Sequence, residues 1–164
     1  RTPILIKKKQ MINQKNKLLN LKFENFFNGE VIAKGNLLLR YPKKSIKNLH
    51  VTFKGLYKDN YLKLKEYYQE DNKKIVRNWK FKKLSNNLFH GAEKNVKGNI
   101  IVNIEKNRLQ MKYYFRLIVW NFKITVLIKD YMYLINETEI VNTTYVSKYG
   151  IKLAEVILLY KKKS

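Results

Sequence analysis

From Phe26 onward, apolar and polar residues alternate in short runs separated by turn residues. The runs fall at 30–41, 46–57, 61–68, 74–84, 96–105, 109–119, 122–129, 130–136, 139–147 and 152–161. Segments this short and regularly spaced predict an all-β antiparallel barrel or sandwich. The separators carry turn chemistry: Tyr41-Pro42-Lys43-Lys44, Lys58-Asp59-Asn60, Glu70-Asp71-Asn72, Ser85-Asn86-Asn87 and Asn136-Glu137. No helical period follows residue 26, although the pattern leaves room for one short helix beside the sheet.

Two hairpins can be registered from the alternation. Side chains repeat with a period of two, so Leu62, Leu64, Glu66 and Tyr68 share one face, and Ile75, Arg77, Trp79 and Phe81 share another. Setting Tyr68 against Ile75 places Glu66 against Arg77, Leu64 against Trp79 and Leu62 against Phe81. A slip of one residue would turn the whole apolar set outward, so the register is strongly specified. On the outer face Lys63 meets Lys80 and Tyr61 meets Lys82, a surface that attracts anions. In the second hairpin, Met111, Tyr113, Phe115 and Leu117 are set against Ile128, Val126, Ile124 and Phe122, with a turn through Trp120 and Asn121. Its inner row continues to Asp130, so two carboxyls, Glu66 and Asp130, are expected inside, where a carboxylate needs a partner or a raised pKa.

The composition fits this picture. A chain of 164 residues suits one domain, and 45% hydrophobic and 13% aromatic content with two prolines indicates a folded core despite a formal charge of +23. That charge raises the possibility of a polyanion partner. It is carried mostly by lysine, however, and the arginines are Arg1, Arg40, Arg77, Arg108 and Arg116, whereas bidentate phosphate and base contacts favour arginine. Abundant lysine, asparagine, isoleucine and tyrosine is what A/T-rich codons supply, which explains part of the charge. Residues 1–22 read as a basic arm, flexible or a short amphipathic helix, preceding a single domain over 23–164. The absence of cysteine excludes disulfides, thiolate metal sites and a cysteine nucleophile. No apolar run reaches the ~20 residues of a membrane-spanning helix.

Glu66 and Arg77 form the sharpest candidate site. An ion pair inside an apolar barrel can orient the polar end of an amphiphile, or can simply be a satisfied bridge that fixes register. The candidate cavity residues are Glu66, Arg77, Trp79, Tyr113 and Asp130, and the candidate anionic-surface contacts are Lys63, Lys80 and Lys82. His50 falls on the polar face of its strand and His90 is placed in a loop beside Gly91. Neither has the further ligands a metal needs, and no nucleophile has a credible base. No metal, cofactor or catalytic role is expected. Asn136-Glu137-Thr138 and Asn142-Thr143-Thr144 match glycosylation acceptors, at a frequency chance explains in so asparagine-rich a chain.

Three stretches of the C-terminal region stand out by order and spacing: Asp130-Tyr131-Met132-Tyr133-Leu134, Ser147-Lys148-Tyr149-Gly150 and Ala154-Glu155-Val156, ending in Tyr160-Lys161. With Phe26-Phe27-Asn28-Gly29 and Ala33-Lys34-Gly35 they resemble a bacterial family, domain of unknown function number three-eight-three-three, over about Leu21 to Lys162. Gly29, Gly35, Gly55, Gly91, Gly98 and Gly150 match its glycines, and bends and bulges are their expected work. The chain departs from the family where Lys129 and Tyr131 replace an aspartate and a tryptophan. One acid remains where the family has two, so Asp130 is expected to hold a corner of the barrel. The family's frequent lipobox cysteine is also missing, and with Arg1 first the sequence reads as a fragment or a processed form.

The resemblance implies an antiparallel lipocalin-like (calycin-type) barrel of about eight to ten strands, attached to or exported across the inner membrane of a bacterium into the periplasm. It implies a non-enzymatic role: binding or carrying a hydrophobic or amphiphilic molecule, such as a fatty acid or lipid, at an anionic membrane surface. A cavity of several hundred Å³ near Glu66 and Arg77 would favour that role. The alternative is a polyanion-binding or ribosome-associated protein using its lysine surface, and a third class is a structural envelope protein. The oligomeric state is not legible.

Overall fold

The computed structural model of the chain describes residues 4–7, 19–70, 72–119 and 121–164. Ten antiparallel strands follow one another in a meander: β1 (Gly29–Leu39), β2 (Ser45–Lys58), β3 (Tyr61–Glu70), β4 (Lys73–Ser85), β5 (Leu88–Ala92), β6 (Val96–Glu105), β7 (Arg108–Val119), β8 (Phe122–Asn136), β9 (Glu139–Lys148) and β10 (Ile151–Lys162). Each strand pairs with its neighbours in sequence, and β1 pairs with β10 from Val31↔Lys162 to Leu39↔Ala154, which closes the barrel. Closure removes both edges of the sheet and the aggregation risk that comes with them. The expected all-β lipocalin-like barrel is therefore what the chain forms. Most of the basic arm expected over residues 1–22 lies outside the described residues; of the rest, residues 4–7 make one helical turn and Leu21 is buried.

The first hairpin has the expected register throughout, including Glu66↔Arg77, Lys63↔Lys80 and Tyr61↔Lys82. The second is shifted by two residues from expectation: Met111 meets Asp130, Tyr113 meets Ile128, Phe115 meets Val126 and Leu117 meets Ile124. A tighter connection causes the shift. Val119 pairs directly with Phe122, and Asn121 takes a left-handed φ of 66° between them. The inner and outer rows survive because two is a whole period of the strand. Phe122, expected on the inner row, is 73% exposed at the end of the barrel.

Two further expectations are corrected. The segments 122–129 and 130–136 are one strand, β8, so Asp130 lies in mid-strand and not at a corner. His90 lies in β5, which alternation did not reveal, and pairs with Lys82 and Ile101. The glycines behave as expected at two kinds of place. Gly98 (φ 78°) sits in the irregularity between Lys97 and Ile101 of β6, and Gly55 lets the backbone of Phe27 approach so closely that a Cβ would lie 1.8 Å from its carbonyl oxygen.

The two ends of the barrel differ. The helical turn Phe23–Phe26 and Phe27 plug one end, with Phe23 edge-on to Phe27, Phe81 and Phe89. Lys83 Nζ of β4 donates to Glu24 Oε1 at 2.6 Å, tying the plug to the wall. At the other end, reached by the β1–β2, β3–β4, β5–β6, β7–β8 and β9–β10 connections, nothing comparable covers the interior among the described residues. There the inward apolar positions Leu49, Leu117, Ile124, Val146, Leu153 and Val156 are only partly buried. The barrel has a floor and a mouth.

Candidate functional site

Polar residues of the interior rows gather in a layer between plug and mouth. Glu66 (β3), Tyr113 (β7) and Asp130 (β8) line a cavity of about 60 Å³, with Trp79, Phe53, Met111 and Tyr160 among its other walls and Phe23 and Phe27 at the plug. That is room for a few waters. It falls well short of the several hundred Å³ that would take an acyl chain. Four of the five expected cavity residues, Glu66, Trp79, Tyr113 and Asp130, line it; Arg77 does not.

The expected Glu66–Arg77 ion pair is not formed, although the two residues are opposite in register. Trp79 Nε1 donates to Glu66 Oε2 at 2.9 Å. Arg77 instead donates to the Tyr68 hydroxyl, from Nε at 3.2 Å and Nη2 at 2.7 Å, and its guanidinium lies 4.6 Å from the Phe115 ring centre. Both groups reach a diagonal partner, two residues beyond the one directly opposite, which long side chains on a twisted sheet can do. Nearly all of the Glu66 carboxyl's surroundings are protein, and this desolvation raises its pKa from 4.5 to about 7, against the opposing pull of the Trp79 hydrogen bond and the Arg77 charge. Near neutrality the group takes up and releases a proton.

Asp130 has a different shell. Asn142 Nδ2 and Thr144 Oγ1, the latter at 3.0 Å, both donate to Asp130 Oδ1. Asn142, 1% exposed, also donates to the Tyr131 carbonyl at 2.9 Å and accepts from the Tyr160 hydroxyl at 3.2 Å. Burial raises the Asp130 pKa from 3.8 to about 6, less than the full cost of desolvation because these donors favour the charged form. Burial likewise pushes the phenols of Tyr113 and Tyr160 well above the usual tyrosine range, so both stay neutral.

Asn142, Thr144, Tyr160 and Tyr68 were not expected in the site. Alternation could have found the first two, since Ile140, Asn142, Thr144 and Val146 form one inward row of β9. The burial of Asn142 also removes it as a glycosylation acceptor. On the outside, Lys63, Lys80 and Lys82 are exposed on the wall of β3 and β4, with Lys54 opposite Lys65 on the same face. No group of three His, Asp or Glu residues that could hold a metal occurs among the described residues.

Ten antiparallel strands closed around an apolar interior, with one plugged end, one open end and a polar layer between, define a barrel of lipocalin-like architecture. The chain belongs to the family described as Protein of unknown function (DUF3833), which matches residues 5–162. No curated protein matches it.

Proposed function

We propose that the protein binds an amphiphilic molecule of the fatty-acid or lipid kind, non-catalytically, in the open half of the barrel. The observation that carries this reading is the asymmetry of the interior: the partly exposed inward apolar positions lie mainly at one end, where Leu49, Leu117, Ile124, Val146, Leu153 and Val156 gather above a polar layer, against Tyr57 at the plugged end. The apolar part of the ligand sits among Leu117, Ile124, Val146 and Val156. Its polar end meets the Tyr68–Arg77 pair and, below it, the Glu66 carboxyl. The small cavity beneath the layer holds water or a small polar group, not the chain. Mostly apolar walls with a few placed polar groups are the usual composition of a small-molecule site.

The test uses N-phenyl-1-naphthylamine, a neutral probe that the lysines do not attract. Its emission is expected to rise on adding protein and to fall when dodecanoate displaces it. Val146→Trp, which fills the mouth, is expected to weaken binding at least tenfold. Absence of enhancement, or displacement equally effective in the variant, would contradict the reading.

The lysine wall favours a second reading, polyanion binding, because Lys63 directly faces Lys80 and Lys54 faces Lys65 with no acid between them. Nucleic-acid affinity would then fall steeply with the logarithm of salt concentration and collapse in a Lys63→Glu, Lys80→Glu, Lys82→Glu variant.

A further inference from the structure

Outside the N-terminal turn, where Ile4, Leu5 and Ile6 are exposed, the open end of the barrel carries the most exposed apolar side chains. Tyr41 (58%), Ile46 (72%), Ile118 (73%), Phe122 (73%), Tyr149 (90%) and Ile151 (54%) stand in or beside the β1–β2, β7–β8 and β9–β10 connections. At the plugged end, Leu84 and Ile135 are both less than half exposed. Leu56, near the plugged end of β2, reaches 60%, but its outward neighbours are Lys54 and Lys63. Apolar groups exposed on three connections at one end and rimmed by polar residues are the kind of surface that marks an interaction site.

Cations accompany them. Lys43, Lys44, Lys73, Lys74, Lys94 and Lys123 are exposed at the same end. The acids there are few among the described residues: Glu70 at the end of β3, Glu93 in the β5–β6 connection, and Glu155, which is neutralised by Arg40 at 2.8 Å. Six other acids, Glu24, Glu30, Asp59, Glu105, Glu137 and Glu139, lie toward the plugged end. Toward the same end, on the outer face, a groove of about 750 Å³ is lined by Lys97, Lys148, Tyr114, Leu127 and Tyr149. Its size and mixture of ammonium and apolar groups fit a phospholipid headgroup with the start of its chains.

We propose that the open end docks on an anionic phospholipid bilayer, the apolar residues of the β1–β2, β7–β8 and β9–β10 connections entering the interfacial region while the surrounding lysines hold the headgroups. Apolar tips set among lysines are what interfacial binding requires, and each lysine near an anionic surface adds attraction of its own. The orientation follows from the distribution of charge. The outer wall, with Lys54, Lys63, Lys65 and Lys80 exposed, cannot face hydrocarbon, so the barrel stands on the bilayer with its mouth toward the lipid. The docking draws its purpose from the ligand-binding reading, since the amphiphile would then pass between bilayer and barrel without crossing water. Its test needs no ligand, so the two readings fail separately.

The full chain would be sedimented with vesicles of phosphatidylcholine alone and of phosphatidylcholine mixed with phosphatidylglycerol. Binding to the anionic vesicles and little to the neutral ones is expected. Substituting Lys43→Ser with Lys123→Ser should weaken it about 25-fold, at about fivefold per lysine. Ile118→Ser with Phe122→Ser should weaken it further, with no change in the melting transition because both residues are exposed. Since the chain has no cysteine, a nitrobenzoxadiazole label on Tyr149→Cys should shift to the blue on anionic vesicles, and one on Leu56→Cys should not. The proposal is overturned if anionic vesicles do not bind the protein, if Lys63→Ser with Lys80→Ser removes as much binding as the rim substitutions, or if the two labels respond alike.

Discussion

Glu66 and Asp130 are the residues on which the interior chemistry turns, and their different shells predict different behaviour. Glu66 is held by one indole N–H and Asp130 by an amide and a hydroxyl. A carboxyl whose folded pKa lies above its unfolded value costs no stability below the unfolded pKa and its full cost above the folded one. For Glu66 that window runs from pH 4.5 to about 7, and a shift of that size is worth on the order of 3 kcal/mol. Glu66→Gln removes the titration. Relative to the native chain, the variant should therefore gain on the order of 3 kcal/mol between about pH 4 and about pH 9, read from urea midpoints. A difference independent of pH would mean that Glu66 is not desolvated. Alternation placed both acids inside correctly, because which face a side chain takes depends only on strand period. Their partners were less legible. Opposition in register suggested Arg77 for Glu66, whereas sheet twist brings the diagonal Trp79 closer and leaves Arg77 to Tyr68.

At the level of elements, the hairpins separate what a hydrophobic pattern can specify from what it cannot. It excludes a one-residue slip, which would expose the core, but it is indifferent to a slip of two, and so the β7–β8 register was decided by the connection itself. Val119 paired with Phe122 leaves a two-residue loop, and Asn121 supplies the left-handed conformation it needs. The strand β5 escaped notice for another reason: five residues interrupted by His90 and Gly91 carry too little alternation to read. The plug was equally invisible, since its role comes from long-range contacts of Phe23 and Phe27. Those contacts make it sensitive to mutation. Gly55→Ala would drive a methyl group into the Phe27 carbonyl and should cost ~3 kcal/mol or more. Gly150→Ala, with open space around it and a φ of 76°, should cost only ~1–2 kcal/mol. Phe23→Ala, which empties the centre of the plug, should cost ~3–5 kcal/mol. Equal urea midpoints for the two glycine variants would contradict the close approach at Gly55.

Across the barrel, among the described residues, three gradients run along the axis: interior apolar positions become more accessible toward the mouth, acids thin out toward it, and the strand connections there carry most of the barrel's exposed apolar side chains. The interior is apolar and the outer wall charged, the reverse of a barrel that spans a membrane around an aqueous channel. These gradients join the fold to its proposed work, since a ligand would enter where the barrel is open and the lipid-facing groups are found. Composition alone could not resolve them, because a charge of +23 averaged over the chain says nothing about where the acids lie. The central claim is that the open half of the barrel is a binding site, and native mass spectrometry tests it most directly. Protein prepared without detergent and mixed with dodecanoate should carry one ligand per chain, and Val146→Trp should carry none. A native chain with no adduct, or a variant that retains the same adduct, would contradict the claim.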